Sequence, residues 1–210
     1  TLLASSAASD VYKRQDVEKT LTGFKFIGDK IRKYEQTHEK TFVFGYEESY
    51  GCVIKDFVRD KDAVQAVLTA AEAGNFYKKQ GKDLVDVLNE LYAKHGTFKE
   101  TQIALSKAGA AGAARIKEIM DNLRKDAPQE IGGVKVVKVE DYGNSTCSDG
   151  TTIQLPKSNV LKYYLEDGSW IAARPSGTVP KCKFYFSIKG SDADDAASKT
   201  EVFHKAMMEI

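Results

Sequence analysis

Arg174-Pro-Ser-Gly-Thr-Val-Pro180 crowds several anion-holding groups into one short loop. The Arg174 guanidinium is a planar fork of donors that matches two oxygens of a phosphate at once. Ser176 and Thr178 add hydroxyl donors. Gly177 lets an anion reach the backbone N–H. Pro175 and Pro180 stiffen the flanks and lower the entropy lost on ordering. On residue chemistry alone, a hairpin turn with a surface arginine fits this string equally well. Gly45-Tyr-Glu-Glu-Ser-Tyr-Gly51 places two carboxylates and a hydroxyl in a second turn. Carboxylates accept strongly from the paired hydroxyls of a sugar, although a bare Glu-Glu-Ser is more often a solvated turn. Lys25, in Thr22-Gly-Phe-Lys-Phe-Ile-Gly28, is a third candidate, set against the usual fate of a lysine as a solvated surface residue. Asp192-Ala-Asp-Asp195 has the look of a metal loop, but it opens a helix and serves as N-cap and first-turn negative charge. No metal ligand is assigned.

Something must hold these turns. Cys182, Phe184, Phe186 and Ile188 alternate with Lys183, Tyr185 and Ser187, the pattern of a strand with one buried face. Trp170 to Arg174 reads as its hairpin partner after the Asp167-Gly168 turn. Val134 to Val139, Thr152 to Leu155 and Val160 to Leu165 read as further short strands. Helices are expected over Ile116–Leu123, ending before Pro128, and over Asp192–Met208. Upstream, Thr41 to Gly45 reads as a buried strand feeding the Glu47 turn, and a loop over Thr20–Gly28 leads into a helix from Asp29 to Glu39. Asp60 or Asp62 caps a helix carrying Val64, Val67 and Leu68 on one face. Asp83 caps another carrying Leu84, Leu88 and Leu91, and Gly96 stops it. Thr97 to Leu105 reads as a strand. Alternating strands and helices predict an α/β domain over 16–110, followed by a small α+β domain over 111–210.

Composition bounds the partners. Thirty-one basic and thirty acidic residues give a net charge of +1, which leaves no footprint for nucleic acid or an anionic membrane. Any anion must be held by a local site. Three widely spaced cysteines, with no CxxC pair, fit reduced thiols in cytoplasm. No apolar run is long enough to span a membrane. Residues 1–15 stand apart: Ser5 to Gln15, SSAASDVYKRQ, matches the translation of a transposon-type sequencing adapter over eleven consecutive residues. The segment is read as a sequencing-adapter artefact and excluded from the fold, and the natural chain is expected to extend upstream of Asp16.

Taken together, the three motifs resemble the α-D-phosphohexomutases, in particular the C-terminal part of a bacterial phosphoglucomutase or phosphomannomutase. Thr22-Gly-Phe-Lys-Phe-Ile-Gly28 is similar to the TGxKxxG segment of that family, Gly45 to Gly51 to the GEES/GEMS sugar loop of its third domain, and Arg174 to Pro180 to the RPSGTEP phosphate loop of its fourth, with Val179 where the family has Glu. The resemblance implies an α/β partial third domain followed by the small α+β C-terminal domain, an antiparallel sheet with helices. It implies that Glu47 and Ser49 bind sugar hydroxyls and that Glu48 is structural. It implies that Arg174, Ser176, Gly177 and Thr178 bind the non-reacting phosphate, and that Lys25 lies in the active-site cleft. Family members interconvert hexose 1-phosphate and hexose 6-phosphate with a phosphoserine, Mg2+ and a glucose 1,6-bisphosphate intermediate. Neither a TASHNP-like serine string nor the metal loop DGDxDR occurs in this chain. The expectation is therefore the substrate-recognition half of an isomerase, inactive alone, whose partners are a hexose phosphate and the N-terminal domains of the same protein. A stand-alone sugar-phosphate-binding module and a phosphoglucosamine-type mutase are the alternatives.

Overall fold

Three aspartates start three of the helices. The computed structural model, which describes residues 16–47, 50–106, 109–177 and 179–209, puts Asp62 at the N-cap of one of them, accepting from the Val64 N–H at 2.9 Å. Asp83 accepts from the Val85 and Asp86 N–H groups, both at 2.8 Å, and Asp192 from the Asp195 N–H at 2.8 Å. Each carboxylate satisfies a donor that the first helical turn leaves open. The chain divides into two units, Thr1–Leu91 and Tyr92–Ile210.

The first unit contains helix α1 (Phe24–Thr37), a hairpin of β1 (Gly45–Tyr46) and β2 (Cys52–Val53), and helix α2 (Ala63–Lys78). Helix α3 (Leu84–His95) carries the boundary between the units. Helix α1 begins at Phe24, earlier than Asp29, because Gly23 turns the chain at φ 121° and Gly28 continues the helix rather than stopping it. A Cβ on Gly28 would lie 2.6 Å from the Arg59 carbonyl oxygen, so the glycine serves close packing. Phe24, Ile27, Ile31 and Val53 form the core, with Phe42 and Val58 against them. The buried strand expected over Thr41–Gly45 is not formed. Only Gly45–Tyr46 pairs, and Val43 and Phe44 are exposed. Helix α2 buries Gln65, whose Oε1 accepts from the Ile54 and Lys55 N–H groups, while Val64, Val67 and Leu68 stay exposed, as do Leu84, Leu88 and Leu91 of α3.

Glu18 ties Lys30 of α1 to Lys40 by ion pairs of 2.7 and 2.8 Å. Burial alone would raise its pKa, but the two lysines outweigh burial and bring it from 4.5 down to about 2. A carboxylate with a depressed folded-state pKa stabilises the fold above its ordinary pKa and loses that contribution as the pH falls. The melting temperature of this unit is therefore expected to drop as the pH goes from 4.5 towards 2. Glu18→Gln should flatten that slope in a pH series of thermal melts.

The second unit is one antiparallel sheet in the order β3 (Thr97–Ser106), β9 (Lys181–Gly190), β8 (Trp170–Pro175), β7 (Leu161–Leu165), β5 (Val134–Asp141), β4 (Glu130–Ile131), with β6 (Thr146–Cys147) beside β5. The segment Thr152–Leu155 is not a strand, since only Thr152 makes an isolated bridge to Thr146. Strand β3, assigned by local pattern to the first domain, pairs along its whole length with β9, from Thr97↔Gly190 to Ser106↔Lys181. The compact units therefore divide within α3, because the long-range pairing of β3 with β9 draws β3 into the second unit. One sheet face packs on helix α4 (Gly109–Lys125) and helix α5 (Ala193–Met208): Phe184, Phe186 and Ile188 meet Ile116, Met120, Phe203 and Met207. A Cβ on Gly190 would lie 2.4 Å from the Ala196 backbone nitrogen, so Gly190→Ala must push α5 off the sheet. The expected cost is about 1–3 kcal/mol, visible as a lower melting temperature. At Gly177 a Cβ meets nothing within 4 Å, and Gly177→Ala should melt like the parent.

Candidate functional site

The anion loop closes the β8–β9 hairpin. Arg174 pairs with Lys183 and Pro175 with Cys182, after which the Ser176 N–H donates to the Lys181 carbonyl at 2.7 Å and the Lys181 N–H to the Val179 carbonyl at 2.7 Å. The Val179 N–H reaches Ser176 Oγ at 3.4 Å. Alternation sends Ala173 and Cys182 into the core and leaves Arg174 and Lys183 on the opposite face of the sheet. Arg174 is half-buried. Among the described residues its guanidinium has no ion pair or hydrogen bond, and Lys183 has no ion pair, only the Tyr185 ring 6.0 Å from its Nζ. Two like charges directly opposite across strands repel, and an anion between them would relieve that. Ser176 and Gly177 open on a depression of about 490 Å³ that Ile116, Lys117, Met120, Asp121 and Asn159 also line, whereas Arg174 and Lys183 do not line it. The neighbouring Cys182 is fully buried, and burial pushes its thiol up to about 11, which leaves it unreactive at neutral pH. Thr178 lies outside the described residues.

The second turn sits on the N-terminus of α1. Gly45 lets the hairpin approach the helix, since a Cβ there would come within 2.7 Å of Ile27 Cγ2. The Glu47 N–H donates to the Gly51 carbonyl at 2.8 Å, closing the turn, and Glu47 Oε1 accepts from the Gly23 N–H at 3.2 Å. The carboxylate thus meets the positive end of α1. Lys25 stands in the first turn of the same helix, so the structure brings together two segments that are separate in sequence. Lys25 lines a depression of about 890 Å³ with Arg32, Arg59 and Lys61. Arg32 is paired with Asp29, Arg59 with Glu35 and Lys61 with Asp60. Among the described residues Lys25 has no ion pair, and its Nζ lies 5.0 Å from the Phe26 ring centroid. Glu48 and Ser49 lie outside the described residues.

Two neighbours of the expected site residues were not singled out by sequence reasoning. Lys183 was legible in principle, because strand alternation and a hairpin closing at Arg174–Pro180 put it opposite Arg174. Lys61 had no local signal. No group of three or more His, Cys, Asp or Glu side chains among the described residues could hold a metal ion. Asp195 is taken up by the Ser191 N–H at 2.8 Å and by Lys199 at 3.0 Å. No helix among the described residues is long and apolar enough to cross a membrane.

Two family models match this chain. Residues 1–95 match the phosphoglucomutase/phosphomannomutase alpha/beta/alpha domain III, and residues 113–205 match the C-terminal domain of the same family. The first match extends over residues 1–15, which the sequence reading sets apart. A phosphoglucomutase from Staphylococcus aureus is 41% identical over 193 residues, covering 90% of this chain and 34% of that protein. One from Staphylococcus epidermidis is 39% identical over 202 residues, 94% of this chain and 36% of its own length. Among solved structures, the open form of pp63/parafusin, a phosphoglucomutase from Paramecium, matches with a TM-score of 0.61 at 19% identity, covering 89% of this chain and 32% of that one. At that identity the likeness speaks for the fold. The chain spans about a third of the length of the curated relatives it matches. With both of its units matched in family order and the motif-bearing turns held by the elements described above, the chain belongs to the phosphoglucomutase/phosphomannomutase family, of which it carries domain III and the C-terminal domain.

Proposed function

We propose that this chain is the substrate-recognition part of a phosphohexomutase that interconverts hexose 1-phosphate and hexose 6-phosphate. The observation that carries the reading is the Arg174/Lys183 pair, two cations opposite each other across the β8–β9 hairpin that the Ser176–Gly177 turn closes, with no carboxylate partner among the described residues. In this reading Arg174, Ser176, Gly177 and Thr178, joined by Lys183, hold the phosphate that does not react. Glu47 and Ser49 accept the sugar hydroxyls, and Lys25 supplies positive charge in the cleft. Glu48 plays no direct part. The whole protein's chemistry, an intramolecular phosphoryl transfer through glucose 1,6-bisphosphate, belongs to residues that this chain does not contain. The described residues offer no ligand set that fits the family's Mg2+, so no step assigned here runs through a metal. The exposed apolar faces of α2 and α3 are, in the same reading, the side of domain III that packs against the rest of the mutase.

Isothermal titration of the chain with glucose 1-phosphate, inorganic phosphate and glucose tests this. Glucose 1-phosphate should bind more tightly than phosphate, glucose should give no measurable heat, and affinity should fall with added salt as an exposed ion contact is screened. Equal binding of glucose and glucose 1-phosphate would overturn the reading.

A further inference from the structure

We propose that Lys61 is a positioning residue: its side chain straps the Glu47–Gly51 turn against the N-terminus of α1 and so fixes the direction of the Glu47 carboxylate. The inference rests on the reading of Glu47 as a sugar-binding group and adds what holds that group in place. Four observations carry it. The stem of Lys61 crosses Gly51 so closely that a Cβ on Gly51 would fall 2.1 Å from Lys61 Cδ and 2.6 Å from its Cγ. Gly51 is the residue whose carbonyl accepts the Glu47 N–H at 2.8 Å, so the stem lies over the closure of the turn. The Lys61 ammonium is held between Asp60, at 2.7 Å, and the ring of Phe24, 5.1 Å away on the first turn of α1. The backbone next to it is anchored too, because the Asp62 N–H donates to the Cys52 carbonyl at 3.0 Å. The strap therefore joins three things: the turn, the helix start and the α2 cap.

The charges agree with the geometry. The Asp60 hydrogen bond, followed by the nearby charges of Asp60 and Glu47, holds the Lys61 ammonium above its usual pKa. A carboxylate that points at a helix N-terminus and feels a fixed cation has fewer orientations open to it. Pre-ordering of that kind lowers the entropy lost when a ligand binds. Lys61 also borders the Lys25 depression, which places one cation between the two recognition segments of this unit.

The Gly23 amide reports the position of Glu47 directly, because it donates to Glu47 Oε1 at 3.2 Å. In 1H–15N spectra of the chain, Glu47→Gln defines the signal for a lost carboxylate. Lys61→Ala is expected to move the Gly23 resonance in the same direction and to reduce its protection from hydrogen exchange about tenfold, as loss of roughly one hydrogen bond's free energy implies. Gly51→Ala should do the same through the strap alone, since Gly51 is not in the left-handed region and its Cβ would strike only the Lys61 stem. The Lys61→Ala/Gly51→Ala double variant should be no worse than either single one, and Lys61→Arg should restore the parent signal. A Gly23 amide unchanged in Lys61→Ala, or a Gly51→Ala effect that persists undiminished without Lys61, overturns the proposal. If Lys61→Ala unfolds α1, seen as loss of the Ile27 and Ile31 amides, Lys61→Met decides: it keeps apolar atoms for folding but removes the ammonium by which Asp60 and the Phe24 ring hold the strap across Gly51, so the strap is released, and a Gly23 resonance that stays at the parent position contradicts the proposal. The amide measurement needs no substrate. If Glu47→Gln leaves glucose 1-phosphate binding intact while the Gly23 signals behave as stated, the sugar-binding reading of Glu47 fails and the strap stands.

Discussion

Arg174→Ala is expected to abolish measurable binding of both glucose 1-phosphate and sulfate by the chain. Arg174 is the last residue but one of β8, half-buried, and no described residue takes up its fork. Burial of part of the side chain has removed water from it without supplying a carboxylate, so an anion meets a pre-oriented donor pair. Charge-assisted hydrogen bonds contribute about 1.5–3 kcal/mol each. Losing two of them removes about 3 kcal/mol or more, over a hundredfold in affinity. The repulsion from Lys183 is relieved in the same variant, so the protein should melt no lower than the parent even as binding vanishes. Arg174→Lys should bind weakly, because an ammonium cannot span two oxygens. Glu48→Gln should leave the affinity close to that of the parent. An Arg174→Ala protein that binds glucose 1-phosphate as the parent does would remove the phosphate site from the account.

The second large effect concerns turnover. Residues 16–210 alone are expected to give no conversion of glucose 1-phosphate to glucose 6-phosphate above the blank in a coupled assay. The chain has no TASHNP-like serine string to carry a phosphoryl group and no DGDxDR loop to hold a metal. Recognition without the reacting groups supplies none of the differential stabilisation that accelerates a chemical step. Joined to the N-terminal part of the Staphylococcus aureus relative, the same residues should turn over, and Arg174→Ala should lower kcat/KM in that hybrid by over a hundredfold, the loss of about 3 kcal/mol seen in binding. Turnover by residues 16–210 that survives rigorous purification would contradict this.

Much of the fold was legible because its signals are local. The Asp62, Asp83 and Asp192 caps depend on residues a few positions apart, and each is realised; the strand over Cys182–Ile188 forms as well, but Tyr185 and Ser187 are buried with Phe184 and Phe186, so both of its faces are covered where one was expected to be. What was not legible depends on distant partners. Thr97–Ser106 reads as a strand, but only its pairing with β9 assigns it to the second unit. Thr41–Gly45 has strand-forming residues without a neighbour to pair them beyond Gly45–Tyr46. Gly28 reads as the end of a loop, whereas its meaning lies in the Arg59 backbone that it admits. The same division holds at the site. Arg174 and Glu47 belong to contiguous strings. Lys183 and Lys61 acquire their roles from a cross-strand pair and from a side chain lying over Gly51.

The proposed function rests on the phosphate turn of the second unit. A 1H–15N titration of the chain with glucose 1-phosphate tests it most directly. Saturable shifts are expected at Ser176, Gly177 and Lys183, and none when glucose is added at the same concentration. No response at Ser176, Gly177 and Lys183, or a response centred elsewhere on the second unit, would contradict it.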